Sequence, residues 1–376
     1  MIRHNRALEH LAPYKAGPPL EQIREEYGLE RVVKLASNES PEEPFPEVLE
    51  AIARAAAGAN RYPDGAWRDL RGALADVWGV DRSDVILGNG SCDLLLLLGQ
   101  ALLMPGTKLV YGWPSFVIYR TMAEASLAEP VEVGLRDHRH DLSAMLEAVD
   151  ERTHMIIVCN PNNPTGSYLP SAEIRAFLEA VPPEIAVVLD EAYVEFVHCE
   201  HTDTTSWITE FPNLVILRTF SKIYGLAGLR VGYALTRGFL VDALNKVRQP
   251  FNLNTLAQAA ATEALRHPER VRQRREFTWR ERERLARELT NLGMPPAPSE
   301  ANFLLFPIAP MSVPPEEAAQ ALLERGVVVR SGYALGHPGW LRVTIGTTEE
   351  NDFFLETLRG LLRQEPAGAH ERGKRA

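Results

Sequence analysis

The stretch at residues 218–230 holds the residue types that a phosphate site and an amine nucleophile need. An apolar run at residues 214–217 predicts a buried strand that ends there. Hydroxyls can bind phosphate, a guanidinium can bind two of its oxygens, and a lysine beside another cation can lose its proton and form a Schiff base. The candidates are Thr219, Ser221, Lys222 and Arg230. Taken alone, these residues fit equally well a strand end with a solvated lysine and arginine.

Three further polar clusters resemble this one in position, because each follows a short apolar run. They are residues 88–91 after 85–87, 160–166 after 155–158, and 190–193 after 186–189. Short apolar runs of this kind predict buried strands of an α/β protein. The carboxyl ends of strands in an open α/β sheet border one crevice, where ligands bind. We therefore predict that the four clusters form a single site.

Together these motifs resemble the fold-type-I pyridoxal-phosphate aminotransferases, and within them most of all the histidinol-phosphate branch. The resemblance covers residues 14–358 and is more specific for the cofactor than for the substrate. It implies an α/β fold with a mostly parallel, seven-stranded sheet and a smaller α+β domain. The large cofactor-binding domain is expected at 45–255, and the arm plus small domain at 1–44 and 256–376. The polar tail at 365–376 is predicted to be disordered.

The resemblance implies a catalytic role for Lys222, Asp190 and Tyr193. Lys222 would hold pyridoxal 5'-phosphate as a Schiff base and would afterwards move a proton on the substrate. Asp190 would keep the ring nitrogen protonated, so that the ring can accept electrons. Asn163 and Tyr193 would contact the phenolic oxygen of the cofactor. The other expected cofactor contacts in the same chain are Gly90, Ser91, Cys92, Phe116, Thr219, Ser221 and Arg230.

Some of these expected contacts need comment, because Cys92 departs from the family pattern and Phe116 has an alternative role. Gly90 and Ser91 precede a leucine-rich helix, whose free N–H groups can bind a phosphate. The family usually has an acidic residue where this chain has Cys92, and the difference removes one side-chain contact. Phe116 would stack on the cofactor ring, although a place in the hydrophobic core remains the alternative.

The resemblance also implies substrate contacts and a homodimer with shared active sites. The expected substrate contacts are Tyr14, Asn38, Asn163, Arg330 and Arg342. For Tyr14, simple packing is an equal alternative. Arg342 lies in an apolar strand at 340–346, where an arginine needs an anion, either the substrate or a buried structural partner. Tyr62 would reach the cofactor phosphate of the partner subunit.

The composition excludes several other classes of protein. The chain has 376 residues, 45% hydrophobic and 24% charged, which suits a soluble enzyme of two domains. Its net charge of −10 argues against nucleic acid as a partner. No apolar run reaches membrane-spanning length. Three irregularly spaced cysteines indicate reduced thiols and a cytoplasmic location, and the histidine spacing predicts no metal site.

The implied reaction is amino-group transfer between L-histidinol phosphate and 2-oxoglutarate, which gives imidazole-acetol phosphate and glutamate. Three alternatives stay open: an aromatic or other amino-acid aminotransferase, a phosphothreonine decarboxylase of the same family, and a non-catalytic binding protein that retains the fold. Lys222 and Asp190 count against the last of these. The resemblance further predicts cis peptide bonds at Asn163–Pro164 and Trp113–Pro114.

Overall fold

The computed structural model describes residues 19–308 and 313–363, together with residues 2–4, 6–9, 11, 13 and 17. The predictions for Tyr14 and for the tail at 365–376 lie outside the described residues. The strands are β1 (Val33–Lys34), β2 (Val85–Gly88), β3 (Lys108–Trp113), β4 (Glu129–Gly134), β5 (Thr153–Cys159), β6 (Ala186–Asp190), β7 (Leu214–Thr219), β8 (Gly232–Leu235), β9 (Phe303–Pro307), β10 (Val327–Val328), β11 (Arg330–Ser331) and β12 (Trp340–Thr344).

The α-helices are α1 (Leu20–Tyr27), α2 (Pro46–Ala56), α3 (Arg68–Trp78), α4 (Ser91–Leu102), α5 (Ile118–Ala125), α6 (Leu142–Glu147), α7 (Ser171–Ala180), α8 (Phe239–Val247), α9 (Thr255–Ala264), α10 (Pro268–Asn291), α11 (Ala318–Leu323) and α12 (Thr348–Arg363). Short 3₁₀ turns lie at Arg6–Glu9, Arg82–Asp84, Val194–Phe196, Thr205–Thr209, Ala227–Leu229 and Gly332–Leu335.

A seven-stranded sheet forms the centre of the molecule, with strand order β2-β8-β7-β6-β5-β3-β4. Strand β8 runs antiparallel to both of its neighbours, and the other pairs are parallel. The central strands are apolar along nearly their whole length and, apart from the partly buried His154 of β5, they are buried, as expected of strands covered on both faces. The predicted α/β fold with a mostly parallel, seven-stranded sheet is therefore confirmed.

Most of the buried apolar residues that the structure describes form two clusters. The first cluster lies around the large sheet and includes residues from Phe45 to Ala264, with Ala301 and Phe303. The second combines Val33 and Leu35 with residues between 285 and 361. Around the second cluster, β9, β12 and β11 form an antiparallel sheet, and β1 pairs with β10. The two ends of the chain thus build this part of the molecule together.

One strand predicted near the end of the chain, at residues 327–330, differs in the structure. The apolar run at 327–330 predicts a single strand, but the structure divides it into β10 and β11. The reason is a change of partner: Val327 pairs with Val33, whereas Arg330 pairs with Arg342. This change places Arg330 beside the strand that carries Arg342.

Three X-Pro peptide bonds within the described residues are cis. Those at Trp113–Pro114 and Asn163–Pro164 agree with the prediction, and Asn160–Pro161 is a third. Within the described ranges, no helix has both the length and the apolar character needed to cross a bilayer.

Candidate active site

Most of the predicted site residues line one cavity of about 380 Å³. It opens at the carboxyl ends of β5, β6 and β7, where ligands bind in open α/β sheets. The predicted residues along its wall are Asn38, Ser91, Cys92, Phe116, Asn163, Asp190, Tyr193, Thr219, Ser221, Lys222, Arg230, Arg330 and Arg342. The structure thus brings all four polar clusters together, with arginines from the C-terminal sheet on the facing wall.

Two described candidates do not line this cavity: Gly90, which directly precedes the lining residue Ser91, and Tyr62. Tyr62 is largely exposed. Its side chain is 82% exposed and stacks on Phe251, with ring centroids 4.7 Å apart. Tyr62 is not among the residues that line the cavity of its own chain. Its predicted role requires a second copy of the protein.

Lys222 follows the end of β7 and points into the cavity. Its Nζ donates to the carbonyl oxygen of Ser37 at 3.3 Å and lies 5.5 Å from the ring centroid of Tyr193. Burial, and then the positive charge of Arg342, lower the pKa of Lys222 from 10.5 to about 8. A substantial fraction of this amine is therefore neutral, and hence nucleophilic, near neutral pH.

Asp190 ends strand β6 and is buried. Its Oδ2 accepts a hydrogen bond from the hydroxyl of Tyr119 at 2.7 Å, and its Oδ1 accepts one from the backbone N–H of Ala192 at 3.2 Å. Burial raises the pKa of Asp190 above its ordinary value, and these two hydrogen bonds oppose the rise. A carboxylate at this depth is suited to a cationic partner inside the cavity.

Glycine is required where α4 begins beside Arg230. Gly90 has φ +87°, and a Cβ added to it would lie 2.5 Å from Nη2 of Arg230. A Cβ on Gly232 would lie 2.6 Å from the backbone nitrogen of Ser91. The guanidinium therefore lies close to Gly90, the residue that precedes a twelve-residue helix, and that helix begins with free N–H groups. Two independent kinds of anion donor meet at this corner of the cavity.

Asn38 and Tyr193 join the N-terminal segment to the large sheet. Asn38, which has φ +54°, donates from Nδ2 to the hydroxyl of Tyr193 at 2.9 Å. The hydroxyl of Thr344 donates to Oδ1 of Asn38 at 3.1 Å. Burial raises the pKa of Tyr193, so its hydroxyl keeps its proton and can itself donate.

Arg342 is buried, and its guanidinium is already engaged. Nη1 donates to Oδ1 of Asn163 at 2.5 Å, and Nη2 donates to the carbonyl oxygen of Ala36 at 2.6 Å. Both of these acceptors are uncharged, one a side-chain amide and the other a backbone carbonyl. Through these two contacts the arginine connects the loop of Asn163 to the N-terminal segment.

Sequence reasoning missed two contributors to the site, Tyr119 and Ser37. Ser37 acts through its backbone carbonyl, which no side-chain pattern reveals. Tyr119 lies three residues after Phe116 in an apolar stretch, where the pattern predicts only packing. The available signal was chemical, because a buried tyrosine hydroxyl needs a hydrogen-bond partner.

A larger cavity of about 720 Å³ lies next to the buried ion pair of Arg218 and Glu191, and none of the predicted site residues line it. Glu195 borders this cavity, and burial raises its pKa to about 7. Both of its carboxylate oxygens are inaccessible to solvent, so neither faces the open space. The chemistry of the smaller cavity, not the size of the larger one, identifies the candidate active site.

Comparison with known proteins agrees with this geometry. The family model for aminotransferase class I and II matches residues 30–358. The chain belongs to this family. It is 45% identical over 359 residues to the histidinol-phosphate aminotransferase of Geobacillus thermodenitrificans, and the alignment covers 95% of this chain and 98% of that protein. It is 43% identical over 361 residues to the enzyme of that name from Halalkalibacterium halodurans, covering 96% and 97% respectively.

Solved structures of this family of aminotransferases have the same fold. The histidinol-phosphate aminotransferase of Sinorhizobium meliloti, in complex with pyridoxal-5'-phosphate, superimposes with a TM-score of 0.89 at 28% identity, over 96% of this chain and 98% of that one. A double mutant of Thermus thermophilus aspartate aminotransferase superimposes with a TM-score of 0.84 at 27% identity, over 96% and 100% respectively. The predicted membership of the aminotransferase family is confirmed.

Proposed function

We propose that this aminotransferase moves an amino group between L-histidinol phosphate and 2-oxoglutarate, giving imidazole-acetol phosphate and glutamate in histidine biosynthesis. The observation that carries the proposal is the position of Lys222, whose pKa is about 8, in one cavity with two paired arginines. A nucleophilic amine and a strongly cationic wall suit a phosphorylated amine as substrate. The names of the curated relatives point to the same reaction.

The residues of the cavity fit pyridoxal 5'-phosphate. Asp190 offers a buried carboxylate for a protonated ring nitrogen, and Arg230 packs against the helix start that Gly90 and Ser91 provide. Thr219 and Ser221 would add hydroxyl donors for the phosphate. When bound, pyridoxal phosphate supplies an electron sink for a carbanion at the substrate's α-carbon.

The chain's own side chains supply the binding, the orientation and the proton transfer. Lys222 would bind the cofactor covalently through Nζ and, once released by substrate, would move a proton to and from the substrate carbon. Asp190 would hold the proton at the ring nitrogen. Asn163 and Tyr193 would bind the phenolic oxygen, and Phe116 would cover one face of the ring. Burial raises the pKa of Cys92, so this residue would meet the cofactor as a neutral thiol.

Two parts of the cavity would recognise the substrate: the pair of arginines from the C-terminal sheet, and the N-terminal segment around Asn38. Arg330 and Arg342 would bind an anionic group of the substrate, and Asn38, which donates to Tyr193, would contact the substrate beside it. The same role for Tyr14 rests on the family resemblance, since that residue lies outside the described part of the chain.

The proposal includes a cytoplasmic homodimer with shared active sites, to which each Tyr62 would contribute in trans. Its exposed ring supports this arrangement, because Tyr62 does not line the cavity of its own chain and is accessible to a second subunit. Each subunit would have a large domain at 45–255 and a small domain formed by 1–44 and 256–376. The division follows the two hydrophobic clusters approximately, although α9 packs in the first of them.

A substrate panel with purified enzyme tests the reaction. We expect glutamate-dependent transfer with histidinol phosphate to exceed transfer with phenylalanine or tyrosine by about a hundredfold or more in kcat/KM, because two arginines favour the phosphate. A preference for phenylalanine or tyrosine would identify an aromatic aminotransferase instead. Release of carbon dioxide from phosphothreonine without amino transfer would identify a decarboxylase, and cofactor binding without turnover a binding protein.

A further inference from the structure

Tyr119 lies in the first turn of α5 and is completely buried. Its hydroxyl donates to Oδ2 of Asp190, while the backbone of Ala192 donates to Oδ1. Each oxygen of the carboxylate therefore has one donor from the protein. The two donors come from different elements, so together they fix both the position and the rotation of the carboxylate.

Two neighbouring rings hold Tyr119 in place. Phe116 and Tyr111 each meet its ring edge to face, both with centroids 5.8 Å apart. Phe116 lines the cavity, so the residue expected above the cofactor ring also supports the tyrosine behind Asp190. The position of the hydroxyl is thus set by packing before any ligand binds.

The direction of the hydrogen bond is also fixed. Burial raises the pKa of Tyr119 well above its ordinary value, and the neighbouring charge of Asp190 raises it further. The phenol therefore keeps its proton and always donates. A donor of this kind favours the ionised form of the carboxylate that accepts from it.

We propose that Tyr119 is a positioning residue, which orients the Asp190 carboxylate and keeps it anionic toward the ring nitrogen of the cofactor. The inference rests on the proposed cofactor site. It assigns to a residue outside the cavity wall part of the work of protonating the ring. The proposed effect of Tyr119 reaches the cofactor only through the ring nitrogen that Asp190 would contact. A ligand without this nitrogen therefore distinguishes the proposed effect from a contribution of Tyr119 to packing.

The test measures affinity by fluorescence titration of the apoprotein with two ligands. One is pyridoxal 5'-phosphate, and the other is its 1-deaza analogue, in which a C–H group replaces the ring nitrogen. Tyr119→Phe removes the donor but keeps the ring. We expect it to weaken binding of pyridoxal phosphate by about tenfold, since hydrogen bonds to charged groups are the strong ones. The affinity for the analogue should stay within about twofold, because it presents no ring N–H to Asp190.

Tyr111→Phe is the matched control. Tyr111 is equally buried, and its hydroxyl also donates to a carboxylate, that of Glu132, at 2.9 Å, but it does not line the cavity. This variant should leave the ratio of the two affinities unchanged. In the Asp190→Asn background, Tyr119→Phe should no longer alter the ratio. Steady-state kinetics should show a lower kcat with a nearly unchanged KM for the amino donor.

The outcomes separate this inference from the proposed function. If the wild type binds neither ligand, the cofactor site itself is wrong. If the wild type binds both and Tyr119→Phe weakens both equally, Tyr119 only packs and the inference is overturned. Should Tyr119→Phe fail to fold, Tyr119→His, which retains a donor, replaces it, and the affinity ratio should then stay within about threefold of the wild-type ratio. A larger change in that ratio overturns the inference.

Discussion

Arg330 and Arg342 lie directly opposite each other on the antiparallel strands β11 and β12, and both line the candidate active site. Their environments differ. The side chain of Arg342 is buried and donates to Asn163 and Ala36, whereas the side chain of Arg330 is half-buried and makes no hydrogen bond or ion pair with the described residues. Two guanidiniums in register repel each other, so an anionic ligand between them relieves this repulsion.

This difference predicts that Arg330 selects for the substrate phosphate. Arg330→Gln should lower kcat/KM for histidinol phosphate by about ten- to a hundredfold, the value of one hydrogen-bonded charge contact. The effect on dephosphorylated histidinol should be much smaller, because this substrate has no anion to bind. The measurement is the ratio of the two efficiencies in the wild type and in the variant.

Arg359→Gln provides the control for this ratio. Arg359 is a half-buried arginine of α12 that pairs with Glu288 and does not line the cavity. The Arg359→Gln variant should leave the ratio of the efficiencies with histidinol phosphate and histidinol unchanged. Equal losses for both substrates in Arg330→Gln would show that Arg330 supports the fold and does not recognise phosphate.

The lowered pKa of Lys222 predicts how cofactor attachment depends on pH. A lysine with a pKa of about 8 is neutral in about one molecule in ten at pH 7, against about one in three thousand for an ordinary lysine. The rate at which the apoprotein forms its covalent link with pyridoxal phosphate should therefore rise with pH and level off above about pH 8. Absorbance follows the rate, and borohydride reduction with peptide mapping should place the label on Lys222.

Two further results follow from the cause of this shift. Arg342→Gln removes a positive charge that lowers the pKa, so the midpoint should move to higher pH. The folded protein binds fewer protons at Lys222 than the unfolded chain, so this group's contribution to stability improves as the pH rises from about 8 to 10.5. A midpoint of attachment above about pH 10 in the wild type would contradict the assignment.

The central strands of the large sheet could be predicted from the sequence, because they are continuous apolar runs that end in polar residues, whereas the number of strands came from the resemblance. Asp190 and Lys222 could be found for the same reason, since each follows such a run. The roles of Arg330 and Arg342 came from the resemblance, and only the structure shows that they are partners in register. The division of 327–330 into two strands depends on distant partners, which local periodicity does not encode.

Contacts made by the backbone or by residues behind the cavity wall could not be predicted. Ser37 approaches Lys222 with a carbonyl oxygen, a group that every residue has. Tyr119 reaches Asp190 from another element, 71 residues earlier in the chain. Both contacts depend on the tertiary arrangement of elements whose side-chain pattern indicates only burial.

The ion pair of Glu191 and Arg218 predicts a large effect on stability. Both side chains are almost completely buried, 2.8 Å apart, and Arg218 stacks on Trp78. Glu191→Ala should lower the free energy of unfolding by about 3–5 kcal/mol, because it leaves a buried guanidinium without its main counterion. Glu50→Ala, at the exposed pair with Arg54, should cost less than about 0.5 kcal/mol. Urea unfolding measures both, and equal costs would contradict the prediction.

The exposed position of Tyr62 predicts complementation between inactive variants. Lys222→Ala lacks the amine, and Tyr62→Phe lacks the hydroxyl that would reach the partner's cofactor phosphate. An equal mixture of the two variants should regain up to about a quarter of the wild-type activity. About half of the dimers in it are heterodimers, and one of the two sites in each heterodimer is intact. Native mass spectrometry confirms that heterodimers are present. Absence of any recovery with proven heterodimers would show that each site is complete within one subunit.

Gly90 and Gly106 give a matched pair for the phosphate corner of the site. Both have φ near +90°, so the backbone disfavours alanine at either position. They differ in surroundings: a Cβ on Gly90 would lie 2.5 Å from Nη2 of Arg230, whereas a Cβ on Gly106 would meet nothing within 4 Å. Gly90→Ala should therefore displace the guanidinium and weaken pyridoxal phosphate binding by about tenfold or more, while Gly106→Ala should leave it unchanged. Free inorganic phosphate should compete with the cofactor less well in Gly90→Ala than in the wild type. If the two variants bind the cofactor equally well, Arg230 does not hold the phosphate from this position.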